Sequence, residues 1–337
     1  MKLNKDIISL AHGNGGKNSR QLIEEVFLSR FNEANSQGQI KNQPSIPNDA
    51  AGINCNHKMM ITTDGFTVDP LFFPGGDIGK LSVCGTVNDL IVSGAIPQYL
   101  TCSFFIEEGF SKNALLEIAD SMANTAKENN VTIVTGDTKV LPRGDVSGVY
   151  ISTTGIGKTI RNDLSINNIK AGDNVFVTGS IGDHGAAVML AREDFGLSSE
   201  LSSDCASVLK IGSTLMNIPE ITFMRDPTRG GIATVCHEII ADCKCGIKLI
   251  ENDIPIKQEV TTFCEILGFS PYYLACEGRI LFTATPDWQP EHHPLVAQNA
   301  YKIGQLTAKH RNLLLETSLG GLRIIPELDD NPLPRIC

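Results

Sequence analysis

Residues Val131-Thr132-Ile133-Val134-Thr135-Gly136-Asp137-Thr138-Lys139 form a short apolar run that ends in glycine, aspartate and lysine. The β-branched residues of 131–135 predict a buried strand. Open α/β sheets bind their ligands at the carboxyl ends of strands, so Asp137 and Lys139 are predicted to lie at a ligand site. This stretch therefore predicts a fold of mixed strands and helices with a polar site at one end of a sheet.

Predicted strands and helices alternate on both sides of this stretch. The hydrophobic pattern predicts further strands at 59–63, 99–106, 148–155, 174–178 and 279–285. It predicts helices at 19–31, 79–93, 113–129, 184–193, 204–217 and 230–243.

A polar, turn-rich stretch from 161 to 173 divides this pattern into two halves. We therefore expect an N-terminal domain at 1–160 and a C-terminal α/β domain at 161–326. The remaining residues, 327–337, are expected to form a flexible tail.

The composition limits the classes of function. The chain has 337 residues, of which 42% are hydrophobic, which is enough for two domains with proper cores. Its net charge of −10 argues against nonspecific binding to nucleic acid or to anionic membranes. No apolar run approaches the roughly 20 residues that span a bilayer, and the first residues do not resemble a signal peptide. We expect a cytoplasmic protein.

The ten cysteines are scattered, and none forms a CxxC pair. Cys236, Cys243 and Cys245 could together bind a metal. The alternative, which we favour, is that they are small core residues.

A glycine cluster, His12-Gly13-Asn14-Gly15-Gly16-Lys17, precedes the first predicted helix. Glycines let successive backbone N–H groups point at one spot, and a helix N-terminus adds positive partial charge. Gly15 and Gly16 are therefore candidates for phosphate contacts. The spacing is not that of a Walker A loop, and a plain flexible turn is the alternative.

Acidic residues lie beside glycine, asparagine or the ends of strands. They are Asp49, Asp64, Asp69, Asp89 and Asp137. Magnesium is usually bound by one or two carboxylates together with substrate phosphates, so this set predicts a metal–phosphate site. Any one of them could instead be a turn or cap residue.

A basic, glycine-rich turn, Arg225-Asp226-Pro227-Thr228-Arg229-Gly230-Gly231, opens a predicted helix. Arg225 and Arg229 could bind phosphate oxygens there, or the turn could be a salt-bridged helix cap. The segment 182–185 (Gly-Asp-His-Gly) has a similar composition.

Glu277, in Cys276-Glu277-Gly278 before a predicted strand, is a candidate catalytic base.

The chain ends in Pro332-Leu333-Pro334-Arg335-Ile336-Cys337. Two prolines predict an extended tail, which suits a thiol that enters an active site and carries a group elsewhere. A frayed terminus that happens to end in cysteine is the alternative.

These motifs, in this order, resemble the HypE family of hydrogenase maturation proteins, which are carbamoyl dehydratases. Most of the motifs are shared with the wider aminoimidazole-ribonucleotide-synthetase superfamily, and the Pro-Arg-Ile-Cys terminus is specific to this family. The resemblance runs from residue 12 to residue 337. Its other segments are Asp69–Gly76, Gly85–Asp89, Gly94–Pro97, Val134–Lys139, Gly182–Gly185 and Arg225–Gly231.

The resemblance implies a two-domain α+β and α/β fold, with a mixed sheet and helices in the N-terminal domain. It implies a homodimer formed through the N-terminal sheets and Mg²⁺–ATP bound between the domains. Its implied metal ligands are Asp49, Asp64, Asp89 and Asp137, and its implied phosphate and nucleotide contacts are Gly15, Gly16, Asp226 and Arg229.

The resemblance also implies a reaction. A carbamoyltransferase of the HypF type loads a carbamoyl group on Cys337, and ATP-dependent dehydration converts this thiocarboxamide to a thiocyanate. The cyanide then passes to iron held by a HypC–HypD complex. In this scheme Lys139 stabilises the transferring phosphoryl group and Glu277 is the base. One departure from the family pattern is Cys276, where asparagine is expected.

Two other functions are compatible with parts of the sequence. One is a kinase or synthetase of the same superfamily. A selenophosphate synthetase would need a cysteine near the first glycine loop, where Asn14 stands, whereas a thiamine-monophosphate kinase would not. The other is a non-catalytic assembly carrier that binds metal through Cys337, which leaves the glycine and aspartate motifs unexplained.

Overall fold

The computed structural model describes residues 17, 20, 21, 51–54, 58–192 and 199–328, with residues 51–54 described by their backbone alone. The strands are β1 (Ala51–Asn54), β2 (Lys58–Phe66), β3 (Phe72–Phe73), β4 (Gly76–Asp77), β5 (Ala95–Glu107), β6 (Thr132–Leu141), β7 (Val149–Thr159), β8 (Asn174–Thr178), β9 (Ile221–Arg225), β10 (Gly246–Ile250), β11 (Leu281–Ala284), β12 (Ala300–Thr307), β13 (Leu313–Glu316) and β14 (Leu322–Ile324). The helices are α1 (Ile78–Val92), α2 (Lys112–Glu128), α3 (Asp183–Ala191), α4 (Leu209–Met216), α5 (Gly231–Cys243), α6 (Gln258–Leu267) and α7 (Pro294–Asn299). Within these ranges no helix is long and apolar enough to cross a membrane.

The first half of the described chain forms a five-stranded sheet in the order β1-β2-β7-β5-β6. Strands β5 and β6 are parallel, and the other neighbours are antiparallel. Helix α1 packs on one face of this sheet. Asp77 caps its N-terminus, because the Asp77 carboxylate accepts hydrogen bonds from the N–H groups of Gly79 and Lys80. Nearly all of its residues are buried, so the helix lies inside the core and not on the surface.

The second half forms a seven-stranded sheet in the order β14-β13-β10-β12-β8-β11-β9. Phe176 and Phe282 stack at 5.0 Å between ring centroids, and Trp288 packs edge-on against both rings. These aromatic residues and most of the buried apolar side chains of α1 belong to one continuous hydrophobic cluster. The two halves are thus joined by a shared core, which fixes the position of the cleft between them.

The predicted fold class, an α+β and α/β chain with a mixed N-terminal sheet, is confirmed. The strand at 174–178 is found at those bounds, and α1, α2 and α5 lie within a few residues of their predicted positions. The sequence did not predict β9, β10 and α6. Their apolar runs are too short for the hydrophobic period to distinguish a strand from a helix.

Two predictions differ from the structure. The helix predicted at 204–217 starts only at Leu209, because side chains from elsewhere hold residues 204–208 in an irregular path. The strand predicted to be buried at 131–135 is part of β6, which is largely exposed along its length in the single chain. It is the last strand of its sheet, and Val134 has 54% of its surface exposed.

Gly94 follows the end of α1 where the two halves join, and we expect its replacement to lower the stability of the fold. Its φ is +89°, a Cβ there would overlap the backbone oxygen of Arg161, and its own carbonyl accepts the N–H groups of Ile160 and Arg161. We expect Gly94→Ala to lower the free energy of unfolding by about 2 kcal/mol or more. Denaturant unfolding followed by circular dichroism measures this change.

Gly65→Ala is the matched control, since no described atom lies within 4 Å of a Cβ at that position. It should stay within about 1 kcal/mol of the unmodified chain. Equal losses for the two variants would contradict the steric argument.

Candidate active site

Several polar side chains that the sequence singled out surround one cavity between the two halves. The cavity has a volume of about 210 Å³. Its lining includes Asp64 and Asp89 from the N-terminal half and Asp226, Arg229 and Glu277 from the C-terminal half. Small-molecule sites commonly exceed about 300 Å³, so the described part of the cavity suits a phosphate chain and a cation rather than a whole nucleotide.

The N-terminal wall consists of the end of β2 and the middle of α1. Thr62 donates a hydrogen bond from Oγ1 to Oδ2 of Asp89 at 2.8 Å, which ties the strand to the helix. The two elements approach closely because residue 85 is glycine, and a Cβ there would lie 2.9 Å from the ring of Phe66. A Cβ at Gly65 would project into open space beside Asp64, as expected where a ligand approaches the backbone.

The C-terminal wall is the turn that precedes α5. Its backbone is closed by hydrogen bonds from the N–H of Thr228 to Asp226 and from the N–H of Gly231 to Thr228. A Cβ at Gly231 would lie 2.6 Å from the carbonyl oxygen of Leu274, so only glycine lets residues 271–277 pack against this turn. The N–H of Cys276 then bonds to the carbonyl of Pro227 at 3.0 Å. Arg229 and Glu277 thereby reach the same cavity.

Arg225 does not line the cavity, although it stands in the same basic motif. Its guanidinium donates to Oε2 of Glu238 at 2.7 Å and lies 5.7 Å from the ring centroid of Phe223. For Arg225 the structure favours the salt-bridged alternative, and Arg229 is the arginine of the motif that faces the cavity.

Glu277 is the most deeply buried acid of the cavity, with 2% of its surface exposed. Its Oε1 atom has no hydrogen-bond partner among the described residues. Burial raises the pKa of this carboxyl group well above its ordinary value, the negative charges of Asp226, Asp204 and Asp64 raise it further, and Arg229 opposes the shift. A carboxyl group with a raised pKa in a cleft is suited to proton transfer.

Cys276, the departure from the family pattern, lies beside Glu277 but points away from the cavity. Its thiol is fully buried, accepts the N–H of Gly182 at 3.2 Å and lies 3.7 Å from the carbonyl of Leu274. Burial raises the pKa of the Cys276 thiol. This position therefore supports the loop around 182 rather than the chemistry.

Asp137 and Lys139 lie on β6, away from this cavity in the single chain. They form an ion pair of 2.8 Å, both are more than half exposed, and the hydrogen bond from Lys139 lowers the pKa of Asp137. The strand register places Asp64 beside Thr153, then Cys102, then Gly136. Three strand spacings amount to about 14 Å, so Asp137 and Asp64 do not share one metal ion within one chain.

The other candidates fall into two groups. Gly15, Gly16, Asp49 and Cys337 lie outside the described residues. In the segment 182–185, Asp183 and His184 are fully buried. Asp183 pairs with Lys257, and His184 bonds to Ser203 at 2.8 Å. This segment is structural.

The described side chains fit a magnesium ion that is bound together with phosphates. Within the described ranges, no three His, Cys, Asp or Glu residues form a ready-made metal cluster. Cys236, Cys243 and Cys245 therefore do not form one either. Magnesium needs only one or two carboxylates when phosphate oxygens and water complete its shell. Asp64 and Asp89 supply such carboxylates, and the hydroxyl groups of Thr62 and Thr228 add hard oxygens.

These threonine hydroxyls were missed at the sequence level. Residues 62 and 64 alternate along β2 and therefore share a face of the strand, which is the signal that could have found Thr62.

Comparison with known proteins supports this interpretation of the fold. The family model "AIR synthase related protein, N-terminal domain" matches residues 47–159, and the corresponding C-terminal domain model matches residues 170–314. The carbamoyl dehydratase HypE of Escherichia coli K12 is 40% identical over 98% of this chain and 99% of its own length.

Solved structures of HypE proteins are also similar to this chain. The crystal structure of a HypE–HypF complex contains a chain that is 40% identical, with a TM-score of 0.81 over 91% of this chain and 99% of that one. A HypE structure in complex with ATP is 34% identical, with a TM-score of 0.77 over 98% of this chain and all of that one.

The fold and the cavity thus define a two-domain enzyme of the AIR synthase-related class. Within that class the chain belongs to the HypE family of hydrogenase maturation proteins, as the motifs indicated.

The cavity predicts that nucleotide affinity depends on Asp89 through the metal. We expect Asp89→Asn to raise the Kd for ATP in the presence of Mg²⁺ on the order of 10-fold, because a charged oxygen ligand is lost. With EDTA present the variant should bind ATP no worse than the unmodified chain, since it also loses a repulsive charge. Titration calorimetry measures both values.

Asp120→Asn removes the same charge from an exposed position on α2 and is the matched control. An equal loss of affinity with and without metal in Asp89→Asn would contradict a metal-linked role.

Proposed function

We propose that this chain catalyses the ATP-dependent dehydration of a carbamoyl group carried on the sulfur of Cys337. The product is a thiocyanate that supplies the cyanide ligand for the iron of [NiFe] hydrogenase. The observation that carries the proposal is Glu277, whose buried carboxyl group has one oxygen without a hydrogen-bond partner in the described part of the chain and faces a cavity that is also lined by Asp64, Asp89 and Arg229. The chain that contains this cavity ends in Pro-Arg-Ile-Cys.

The cavity provides what phosphoryl transfer requires, which is positioning and neutralisation of charge. Asp64 and Asp89 would hold Mg²⁺, with Asp49 as a further ligand. Arg229 would contact phosphate oxygens, as would the backbone of Gly15 and Gly16. The bound Mg²⁺ would withdraw charge from the phosphates of ATP.

The reaction has two stages. The carbamoyl oxygen attacks the γ-phosphorus of ATP and ADP leaves, which converts a poor leaving group into a phosphate ester. The two N–H protons and the phosphate then depart, and the carbon–nitrogen triple bond forms. Glu277 would accept a proton from the nitrogen, because its buried carboxyl group lines the cavity and its Oε1 atom has no hydrogen-bond partner among the described residues. The thiocarboxamide thus loses the elements of one water and becomes a thiocyanate, and ATP becomes ADP and phosphate.

The attachment of the tail is compatible with delivery of Cys337 to this cavity. The carbonyl of Pro326 accepts the Tyr273 hydroxyl at 2.6 Å, and the carbonyl of Ile325 lies 3.1 Å from Nε2 of His237. Tyr273 is four residues before Glu277 along the chain. The nine residues from 329 to 337 span at most about 30 Å when fully extended.

The five-stranded sheet favours a homodimer, because one of its faces is not covered by the described chain. Helix α1 covers the face that contains Thr62 and Asp64, whereas Thr63, Phe105 and Lys139 lie on the opposite face. Phe105 is 37% exposed and Tyr99, on the same strand, is 45% exposed. We propose that a second copy covers this face and that Asp137 and Lys139 complete the site of that copy.

The partners follow from the same proposal. A carbamoyltransferase of the HypF type would load Cys337, as the solved HypE–HypF complex suggests for a relative. A HypC–HypD complex would receive the cyanide, in the cytoplasm. We propose residues 1–160 as the nucleotide-binding and dimerisation domain, 161–326 as the C-terminal domain and 327–337 as the carrier tail.

Intact-mass spectrometry tests the reaction on the full chain after incubation with the carbamoyltransferase, carbamoyl phosphate and ATP. We expect an adduct of one carbamoyl group at Cys337 that then loses the mass of one water. Lys139→Ala and Glu277→Ala should accept the carbamoyl group and stall before this loss, because neither residue acts in loading.

Three results would overturn the proposal. An adduct on another cysteine would exclude Cys337 as the carrier. Phosphorylation of a small molecule that is unaffected by removal of the tail would indicate a kinase. Absence of ATP turnover with every partner present would indicate a non-catalytic carrier.

If Lys139 completes the site of the second copy in a homodimer, two different inactive variants should restore activity when they are mixed. When Lys139→Ala and Glu277→Gln chains are mixed and allowed to exchange subunits, half of the dimers contain one of each. If Lys139 of one chain completes the site that contains Glu277 of its partner, each such dimer has one intact site, so about a quarter of the unmodified dehydration activity should return. No recovery after verified exchange would show that both residues act within one chain.

A further inference from the structure

The backbone of Glu277 is held on both sides by buried side chains. Its N–H donates to Oδ1 of Asp204 at 3.1 Å. Its carbonyl accepts a hydrogen bond from Nδ2 of Asn88 at 3.2 Å and a longer one from the N–H of Ala206 at 3.4 Å. The peptide groups that fix the direction of the Glu277 side chain are therefore tied to two other parts of the chain.

Asn88 makes this attachment from the N-terminal half. It lies on α1 next to Asp89 and is 1% exposed. Its Nδ2 also donates to the carbonyl of Ala206 at 3.1 Å, and its Oδ1 accepts the N–H of Val208 at 2.8 Å. One amide side chain thus holds both the 204–208 segment and the Glu277 segment in register with Asp89.

Asp204 is in turn fixed by an arginine. Its side chain is fully buried, and Oδ2 lies 3.2 Å from Nε of Arg279. Arg279 also donates to the carbonyl of Ser180 at 2.9 Å, so its own position is determined by the loop around 180. A Cβ at residue 278 would overlap the backbone oxygen of Asp204, which explains why Gly278 follows Glu277.

This support is necessary because a buried carboxyl group is unstable. Burying it costs free energy, and rotation toward water would relieve that cost if the backbone could move. Neither Asp204 nor Asn88 is among the residues that line the described cavity. They act on the site through Glu277.

We infer that Asp204 and Asn88 are positioning residues that hold Glu277 at the geometry needed for the dehydration step. This inference rests on the proposed function, since it concerns the base of that reaction. A displacement of about 1 Å in a catalytic group can slow a reaction on the order of 100-fold, so the effect should be large.

The test measures three quantities for the full-length chain loaded with a carbamoyl group on Cys337. They are the single-turnover rate of water loss at saturating Mg²⁺–ATP, the Kd for Mg²⁺–ATP and the extent of loading. In Asp204→Ala we expect water loss to slow at least about 10-fold, with the Kd and the loading changed less than about 3-fold. Asp204→Asn keeps an oxygen that can accept the N–H of Glu277, and it should stay within about 3-fold of the unmodified rate.

Asp173→Ala is the matched control. Asp173 is also a buried carboxylate of the C-terminal half that accepts a backbone N–H, that of Lys170 at 2.9 Å. Its loss should lower the melting temperature comparably and leave the rate of water loss unchanged, which separates positioning from general stability.

Asn88→Ser provides a second, independent test in case Asp204→Ala does not fold. Serine is too short to reach the carbonyl of Glu277, so water loss should again slow while loading persists. Asn174→Ser is its control, because Asn174 is equally buried and donates to the carbonyl of Pro286 at 3.3 Å.

The inference is overturned if Asp204→Ala and Asn88→Ser dehydrate at the unmodified rate. It is also overturned if Asp204→Asn is as slow as Asp204→Ala, or if the two controls slow the step equally. Failure of the proposed function has a different signature, because the unmodified chain itself would then load the carbamoyl group and never lose water.

Discussion

The burial of Glu277 at the junction of the two halves is the constraint on which the site depends. A carboxyl group stays buried only if its backbone cannot carry it toward water, and here the backbone is bonded to Asp204 on one side and to Asn88 on the other. Asn88 belongs to the helix that packs on the first sheet, and Asp204 is bound to the second half through Arg279. The same contacts therefore join the halves and orient the side chain of Glu277, the proposed base.

The local features of the fold could be predicted from the sequence. The period of apolar residues indicated α1, α2 and α5, and a compact apolar run indicated β8. Asp64, Asp89, Asp226, Arg229 and Glu277 were all singled out, because a set of carboxylates and arginines beside glycine turns and strand ends favours a site for a metal and phosphates, although each residue alone could be a turn or cap residue. Their convergence on one cavity depends on the shared core, which no local pattern reveals.

The remaining features depend on long-range contacts. Arg225 stands four residues before Arg229, yet Glu238 binds it away from the cavity. The irregular path of 204–208 follows from hydrogen bonds to Asn88, more than a hundred residues away. Strand β6 was expected to be buried on the evidence of its β-branched residues, and the structure shows that such residues can also line an open face at the edge of a sheet. Asp137 and Lys139 lie on that strand, so their place in the chemistry depends on what covers it.

The central claim is that Cys337 brings its carbamoyl group to Glu277 in the cavity between the halves. A crystal structure of the carbamoylated chain with Mg²⁺ and a non-hydrolysable ATP analogue tests it most directly. The account predicts the carbamoyl nitrogen within about 3.2 Å of a carboxyl oxygen of Glu277. A carbamoyl group bound elsewhere, with the tail excluded from the cavity in every subunit, would contradict it.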